Sequence, residues 1–239
     1  MRPAERAASL LLALAAVFAA DLAHADELQP FEASYHWIWH GMTVAASTVT
    51  LARAADDTWH YSSKSEPRGI GRAFSERPRQ MSVLRVTPHG VQPLSYDADD
   101  GTGSSKRTVK LRFDWQTQRV TGIYEEAPID LGLKDDVQDD SSVQVALMEA
   151  LLRGVTPSHF TLVDKTGLRE YRYAREGEAT LATALGRIPT VIYRSERANS
   201  PRVTRFWCAP QQGYVPLRVE QKRGDDVQWT MEITQLRRE

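Results

Sequence analysis

The 239-residue sequence contains a single cysteine, Cys208. One thiol cannot close an internal disulfide, so the fold must rest on its packed core. Cys208 lies in the strand-like run Arg205-Phe206-Trp207-Cys208-Ala209-Pro210 and reads as a small buried hydrophobe. Charge of one sign is also scarce: 30 Lys and Arg stand against 31 Asp and Glu, for a net charge of −1. Such a chain has no electrostatic footprint for nucleic acid or an anionic membrane surface, so no nucleic-acid partner is expected. Past residue 25, no apolar run approaches the roughly 20 residues of a membrane-spanning helix, and a spanning segment is not expected there. Recognisable reaction motifs are missing too. The sequence has no Gly-x-Ser-x-Gly elbow and no His-Glu-x-x-His helix. Gly101-Thr102-Gly103-Ser104-Ser105-Lys106 lacks the Gly-Lys-Ser/Thr ending of a phosphate loop and reads as a flexible hairpin loop. No internal repeat or low-complexity linker divides the chain.

One apolar run is present at the start. Arg2 and Arg6 precede a stretch of Leu, Ala, Val and Phe from Ser9 to Ala20, and Ala23-His24-Ala25 closes it. This is the pattern of a secretory signal peptide over residues 1–25, cleaved after Ala25. No cysteine stands at the cleavage point to accept a lipid. The expectation is a periplasmic protein whose residues 26–239 form one β-rich domain.

Period-two alternation dominates that domain. Phe31, Ala33, Tyr35, Trp37 and Trp39 share one face, with Glu32, Ser34, His36 and His40 on the other. Val109, Leu111, Phe113 and Trp115 repeat the pattern, as do Trp229, Met231 and Ile233. Further strands are expected near 43–52, 58–64, 79–86, 93–97, 118–125, 159–164, 168–175, 179–184, 188–196, 202–208 and 214–223. Turn signals such as Pro88-His89-Gly90 and Arg223-Gly224-Asp225 separate them. Strands with one wet face indicate an antiparallel sheet.

Residues 141–153 break the alternation and read as a helix. Ser141 and Gln144 have capping-box spacing, Asp139 and Asp140 suit the N-terminal end, and Arg153-Gly154 suits the C-terminal end. Only Gln144, Glu149 and Arg153 interrupt its apolar surface, so more than one side must be buried. The expected fold is therefore mainly β: an antiparallel curved sheet, or half-open barrel, wrapped around one central buried helix.

Several runs, in order along the chain, carry a family resemblance. They are Pro30-Phe31-Glu32-Ala33-Ser34-Tyr35, Gly41-Met42-Thr43-Val44-Ala45, Phe113-Asp114-Trp115, Asp139-Asp140-Ser141-Ser142, Thr183-Ala184-Leu185-Gly186, and Phe206-Trp207-Cys208-Ala209-Pro210 with Gly213-Tyr214-Val215-Pro216-Leu217-Arg218. Together they resemble the bacterial exported family known as domain of unknown function 3108. The resemblance implies an exported, mainly antiparallel β-domain with no assigned activity or site residues. Similar proteins more often carry an aliphatic residue at the position of Cys208, which argues against a shared thiol chemistry. The general shape is also similar to the half-open barrels of periplasmic lipoprotein carriers.

The polar candidates for chemistry are weak. His36 and His40, four apart on a strand, stand about 13 Å apart, too far to share a metal. Asp135, Asp136, Asp139 and Asp140 lack the spacing, central Gly and closing Glu of a calcium loop. Arg197, Arg202 and Arg205 read as a solvated face. No catalytic residue, metal or cofactor is assigned. The aromatics are the stronger signal: Tyr35, Trp37, Trp39, Phe113, Trp115 and Trp207 either pack the core or line an apolar cavity. The expected function is non-enzymatic binding or carriage of a lipid-like cell-envelope component. A structural or interaction protein of the envelope is one alternative, and a hydrolase of envelope polymers, using paired carboxylates, is another. Intact mass measurement of the exported protein should give the mass of residues 26–239; a mass retaining residues 1–25 would refute the cleavage site.

Overall fold

The computed structural model describes residues 27–73 and 76–238. The signal peptide and cleavage site read in residues 1–25 lie outside the described residues. Among the described residues, fifteen strands form one sheet. The first eight are β1 (Phe31–Trp39), β2 (Met42–Arg53), β3 (Trp59–Pro67), β4 (Arg79–Thr87), β5 (Gly90–Asp99), β6 (Val109–Asp114), β7 (Arg119–Tyr124) and β8 (Ala127–Gly132). They run as a meander, each pairing antiparallel with the next. Short β9 (Val137–Gln138) leads into the helix α1 (Ser142–Leu152). A second meander follows: β10 (His159–Asp164), β11 (Gly167–Thr183), β12 (Gly186–Arg197), β13 (Arg202–Ala209), β14 (Val215–Arg223) and β15 (Asp226–Arg238). β1 pairs with β15 and fuses the meanders, so β8 and β9 are the two edges of an open sheet. The sheet does not close into a barrel.

Its one parallel pair is β9 with β10. Parallel neighbours cannot be joined by a tight turn and need a crossover, usually helical. α1 is that crossover, so the helix occurs where the topology requires one. A second constraint is stronger. Only residues 133–136 connect edge strand β8 to edge strand β9. That link spans at most roughly 18 Å, so the sheet must curl until its ends nearly meet. Contacts across the gap follow: β8 touches β11 and β9 touches β5. Lys165 Nζ, after β10, lies 3.0 Å from Glu125 Oε2, after β7. The Gln138 side chain donates to the Val91 carbonyl at 2.8 Å.

The alternation translates directly into burial. Phe31, Ala33 and Tyr35 of β1 are buried, as are Val109, Leu111 and Phe113 of β6. The two runs near 168–175 and 179–184 are one strand, β11. Its pairing with β12 slips between Arg175 and Gly177, and Gly177 takes the positive φ of 153° that the irregularity demands. β8 and β9 carry no clean alternation and were not expected. His40 sits in the β1–β2 turn at φ 46°, not on the strand.

Nine of the eleven helical residues are buried. Val145, Ala146, Met148 and Leu152 pack with Phe31, Tyr35, Leu51, Leu84 and Ile233. Val143, Leu147 and Leu151 pack with Leu162, Tyr173, Phe206 and Val219. The helix thus joins residues of both meanders. Its C-terminal end is a Schellman motif: Gly154, at φ 71°, donates to the Leu151 carbonyl and Val155 to that of Ala150.

The N-terminal end corrects the expected capping box. The Ser141 side chain makes no capping bond. Asp139 does the work instead: its Oδ1 accepts from the backbone N–H of Ser141 at 2.8 Å and of Ser142 at 2.7 Å. Its Oδ2 accepts from the Ser82 hydroxyl of β4 at 2.8 Å, and the Ser142 hydroxyl accepts from the Asp139 N–H at 2.9 Å. Box spacing is satisfied in sequence, but the chain turns two residues earlier, at Asp139, whose carbonyl already accepts from the Val143 N–H, so the aspartate reaches the free N–H groups first. Asp139 and Ser82 are both fully buried. Burial pushes the Asp139 carboxyl up to about 6, against the lowering effect of its three donors.

Because the folded carboxyl holds its proton more tightly than the unfolded one, stability should fall as pH rises from about 4 to about 6, by roughly 3 kcal/mol, and stay reduced above that. Asp139→Asn keeps the acceptor and removes the charge, so the difference in denaturation free energy between wild type and this variant should carry that pH dependence. Asp139→Ala should lose about 1–3 kcal/mol near pH 4, where the wild-type carboxyl is protonated, because buried donors are stranded, and the loss should shrink as pH rises through about 6 and the wild-type carboxyl ionises. A pH-independent difference for Asp139→Asn would refute the assignment.

Candidate functional site

The curled sheet is not filled to its end. Above the N-terminal half of α1 lies an inner cavity of about 330 Å³. Val143, Gln144 and Met148 of the helix and the preceding Asp140 contribute to its lining. Tyr35, Trp37, Tyr171, Tyr173, Phe206 and Trp229 give it aromatic walls. A second cavity of about 610 Å³ opens beside it, against β1, β2, β3 and the turn at 69–73. Trp37, Ser63 and Gln80 line both, so the two share a wall. Both volumes fall in the range of small-molecule pockets. Together they make a stepped cup.

The aromatic walls follow from strand alternation. Trp37 and Trp229, on the adjoining strands β1 and β15, have ring centroids 4.9 Å apart and 49° between planes. Trp37 Nε1 donates to the Ser47 hydroxyl, which lies 2.7 Å from the Ser65 hydroxyl. Tyr173 meets Phe206 at 6.3 Å, nearly parallel, and Phe160 edge-on at 5.0 Å. The Tyr35 hydroxyl donates to the Pro216 carbonyl at 2.9 Å. Burial raises the phenol of Tyr35, and pushes that of Tyr173 up to about 12, so both stay neutral. The mouth is apolar as well: Trp39 is 45% exposed at the outer cavity, and Met42 and Ile70 are exposed nearby in sequence and on adjoining elements.

Backbone packing shapes the outer cavity. The Arg68 N–H donates to the Val44 carbonyl at 2.7 Å, laying the 69–73 turn against β2. A Cβ at Gly71 would lie 1.9 Å from that same carbonyl, so only glycine permits the approach. The charged groups lining the outer cavity are paired: Arg79 with Asp99 at 2.8 Å, and Arg107 with Glu76 at 3.4 Å and Asp100 at 3.5 Å.

The inner cavity differs. Among the described residues, its sole charged lining group is Asp140. The carboxylate is exposed to the cavity and accepts from the Tyr124 hydroxyl at 3.1 Å. Its pKa is raised, chiefly by desolvation, with Asp164 and Glu125 adding to the rise and the Tyr124 hydroxyl opposing it.

Of the six aromatic candidates, the cup unites three: Tyr35, Trp37 and Trp39. Phe113 is buried in a separate core cluster, and Trp115 packs on that cluster while donating to the Pro93 carbonyl at 2.7 Å. Trp207 is outside the cup lining, its ring 5.7 Å from the Arg218 guanidinium carbon. The alternation on β13 explains this: Phe206 points into the cavity, so its neighbour must point away. Phe206, Tyr61, Gln80, Asp140 and Gln144 were not among the candidates. The inward parity of Phe206 could have been read from Phe206 and Cys208 flanking Trp207. The polar residues gave no comparable signal.

Among the described residues, no group of three His, Cys, Asp or Glu could hold a metal ion, and no helix is long and apolar enough to cross a membrane. Cys208 is fully buried, and burial pushes its thiol up to about 12.

The profile of the family described as protein of unknown function (DUF3108) matches residues 31–234. No curated protein matches the chain. Among solved structures, the chain is similar to a beta-barrel-like protein of domain of unknown function DUF1849 from Brucella abortus. That pair has a TM-score of 0.58 at 11% identity and covers 89% of this chain and 99% of the other. MucB gives a TM-score of 0.37 at 15% identity, over 95% of this chain and 59% of the other. The MucA/MucB complex from Pseudomonas aeruginosa gives 0.39 at 13%, over 90% and 54%. The first likeness supports the barrel-like fold.

A buried, protonated thiol should be inert. Native protein at pH 8 should give no reaction with a disulfide reagent within minutes, and one thiol per chain in denaturant. Rapid labelling of the native protein would contradict the buried placement.

Proposed function

This chain belongs to the DUF3108 family of proteins of unknown function, and we propose that it binds an apolar, lipid-like ligand in the cup and carries it within the cell envelope. The single observation behind this reading is the pair of cavities that share Trp37, Ser63 and Gln80. Apolar and aromatic side chains surround space large enough for a ligand, and a few polar groups, Gln80, Gln144 and Ser195, converge on it. Leaving such space unfilled costs stability, and a binding role explains why it is kept.

In this reading the sheet wraps the helix, which plugs one end of the curl and leaves the other open. The two steps of the cup suit an elongated molecule whose tail enters past Trp37. The protein reaches the envelope through the signal peptide of residues 1–25, and residues 26–239 act as one domain. Tyr35, Trp37 and Trp39 are the ligand-contacting aromatics carried over from the sequence. The paired carboxylates of a glycoside hydrolase have no counterpart in the inner cavity, where Asp140 stands alone among the described residues.

Protein purified without detergent should show bound apolar molecules by native mass spectrometry and solvent extraction. Ser63→Trp places an indole at the shared wall and should lower bound ligand at least about tenfold, with a thermal midpoint unchanged or raised by the filled space. A clean unliganded mass for wild type, together with no uptake of added long-chain alcohol, would refute the carrier role.

A further inference from the structure

We infer that the ligand accepted by the inner cavity carries a cationic, ammonium-type head group on its apolar body. The inference rests on the carrier reading and specifies its ligand. Three observations carry it. First, Asp140 is the sole charged group lining the inner cavity among the described residues. Second, Asp140 forms no ion pair among the described residues: the charges that bear on it, Asp164 and Glu125, are acidic, and the nearby cations are engaged with those two, Arg169 and Arg197 at 3.7 and 3.5 Å from Asp164 and Lys165 at 3.0 Å from Glu125. Third, aromatic rings make up the surrounding wall, including Trp37, Trp229, Tyr171, Tyr173 and Phe206.

Beyond placing negative charge near the N-terminal end of α1, Asp140 holds no part of the scaffold. The helix cap and the tie to β4 belong to Asp139. Among the described residues, the hydrogen-bond partner of the Asp140 side chain is the Tyr124 hydroxyl, which an amide oxygen would satisfy equally well. A lone anion in a partly desolvated cup is costly unless a partner neutralises it. Its counterpart in the outer cavity shows the contrast: there Asp99 and Asp100 are matched by Arg79 and Arg107. An ammonium group supplies the missing charge, and aromatic faces attract the same group through their quadrupoles. A carboxylate, sulfate or phosphate head would meet like charge and no Lys, Arg or His among the described lining residues.

The test uses the exported chain and three probes with the same ten-carbon tail, below their micelle concentrations: decyltrimethylammonium, decanol and decyl sulfate. Tryptophan fluorescence, reporting on Trp37 and Trp229, and titration calorimetry give the affinities. The ammonium probe should bind about tenfold more tightly than decanol, and decyl sulfate more weakly than decanol. Asp140→Asn should bring the ammonium probe to the affinity of decanol and leave decanol within about twofold. Equal affinity for the ammonium probe and decanol, or tightest binding of the sulfate, overturns the head-group assignment while leaving the carrier reading intact. Failure of all three to bind overturns both. The wild-type probe series decides the matter even if the variant folds poorly.

Discussion

Four residues between the opposite edges of a fifteen-stranded sheet govern this structure. An open sheet of that width is free to twist into a long saddle. Tying β8 to β9 through residues 133–136 removes that freedom and makes the sheet curl. The curl creates an inside. Inward-facing positions such as Phe31 and Tyr35 of β1, Leu111 of β6 and Phe206 of β13 then become core or cavity wall, although the two sheet ends are not hydrogen-bonded into a barrel. The same link fixes the helix, because β9 pairs parallel to β10 and the chain must cross over between them.

Asp139 and Asp140 show how far position outweighs residue type. They are neighbours in sequence, acidic, and both close to the start of α1. Asp139 is fully buried and takes three hydrogen bonds that lock the helix to β4. Asp140, one residue on, faces open cavity with one hydroxyl as donor. The backbone turn at the helix start sends adjacent side chains in different directions. One carboxylate becomes part of the scaffold, and the other lines the cavity. Their separation also matters for stability: the buried acid opposes ionisation at neutral pH, so rigidity at the helix start is gained against an electrostatic cost.

Most strands were legible because alternation is a local signal. β6 and the first half of β1 bury the faces their residue patterns indicate, and on β15 Ile233 is buried while Trp229 and Met231 are half-buried. β8 and β9 were not legible. β8 is a short edge with Pro128 in it, and β9 has two residues, too few for any period. The helix bounds were readable from the apolar run and its flanking Ser141 and Arg153, yet the identity of the cap was not. Spacing alone cannot say which of several acceptors a tertiary turn brings to the free N–H groups. Half of the aromatic candidates met in the cup, because Tyr35, Trp37 and Trp39 share one strand face. Phe113, Trp115 and Trp207 carry the same chemistry elsewhere.

The sequence by itself determined the inward and outward face of most strands, the place of the helix and the family. Each is encoded within a few neighbouring residues, in periods of two and of 3.6. Only the tertiary structure decided which inward faces meet, that the curl leaves a stepped cup above the helix, and that Asp140 lines it with no ion-pair partner among the described residues. Those outcomes depend on pairing β1 with β15 and on the short link from β8 to β9. They join residues some two hundred positions apart, beyond the reach of any local pattern.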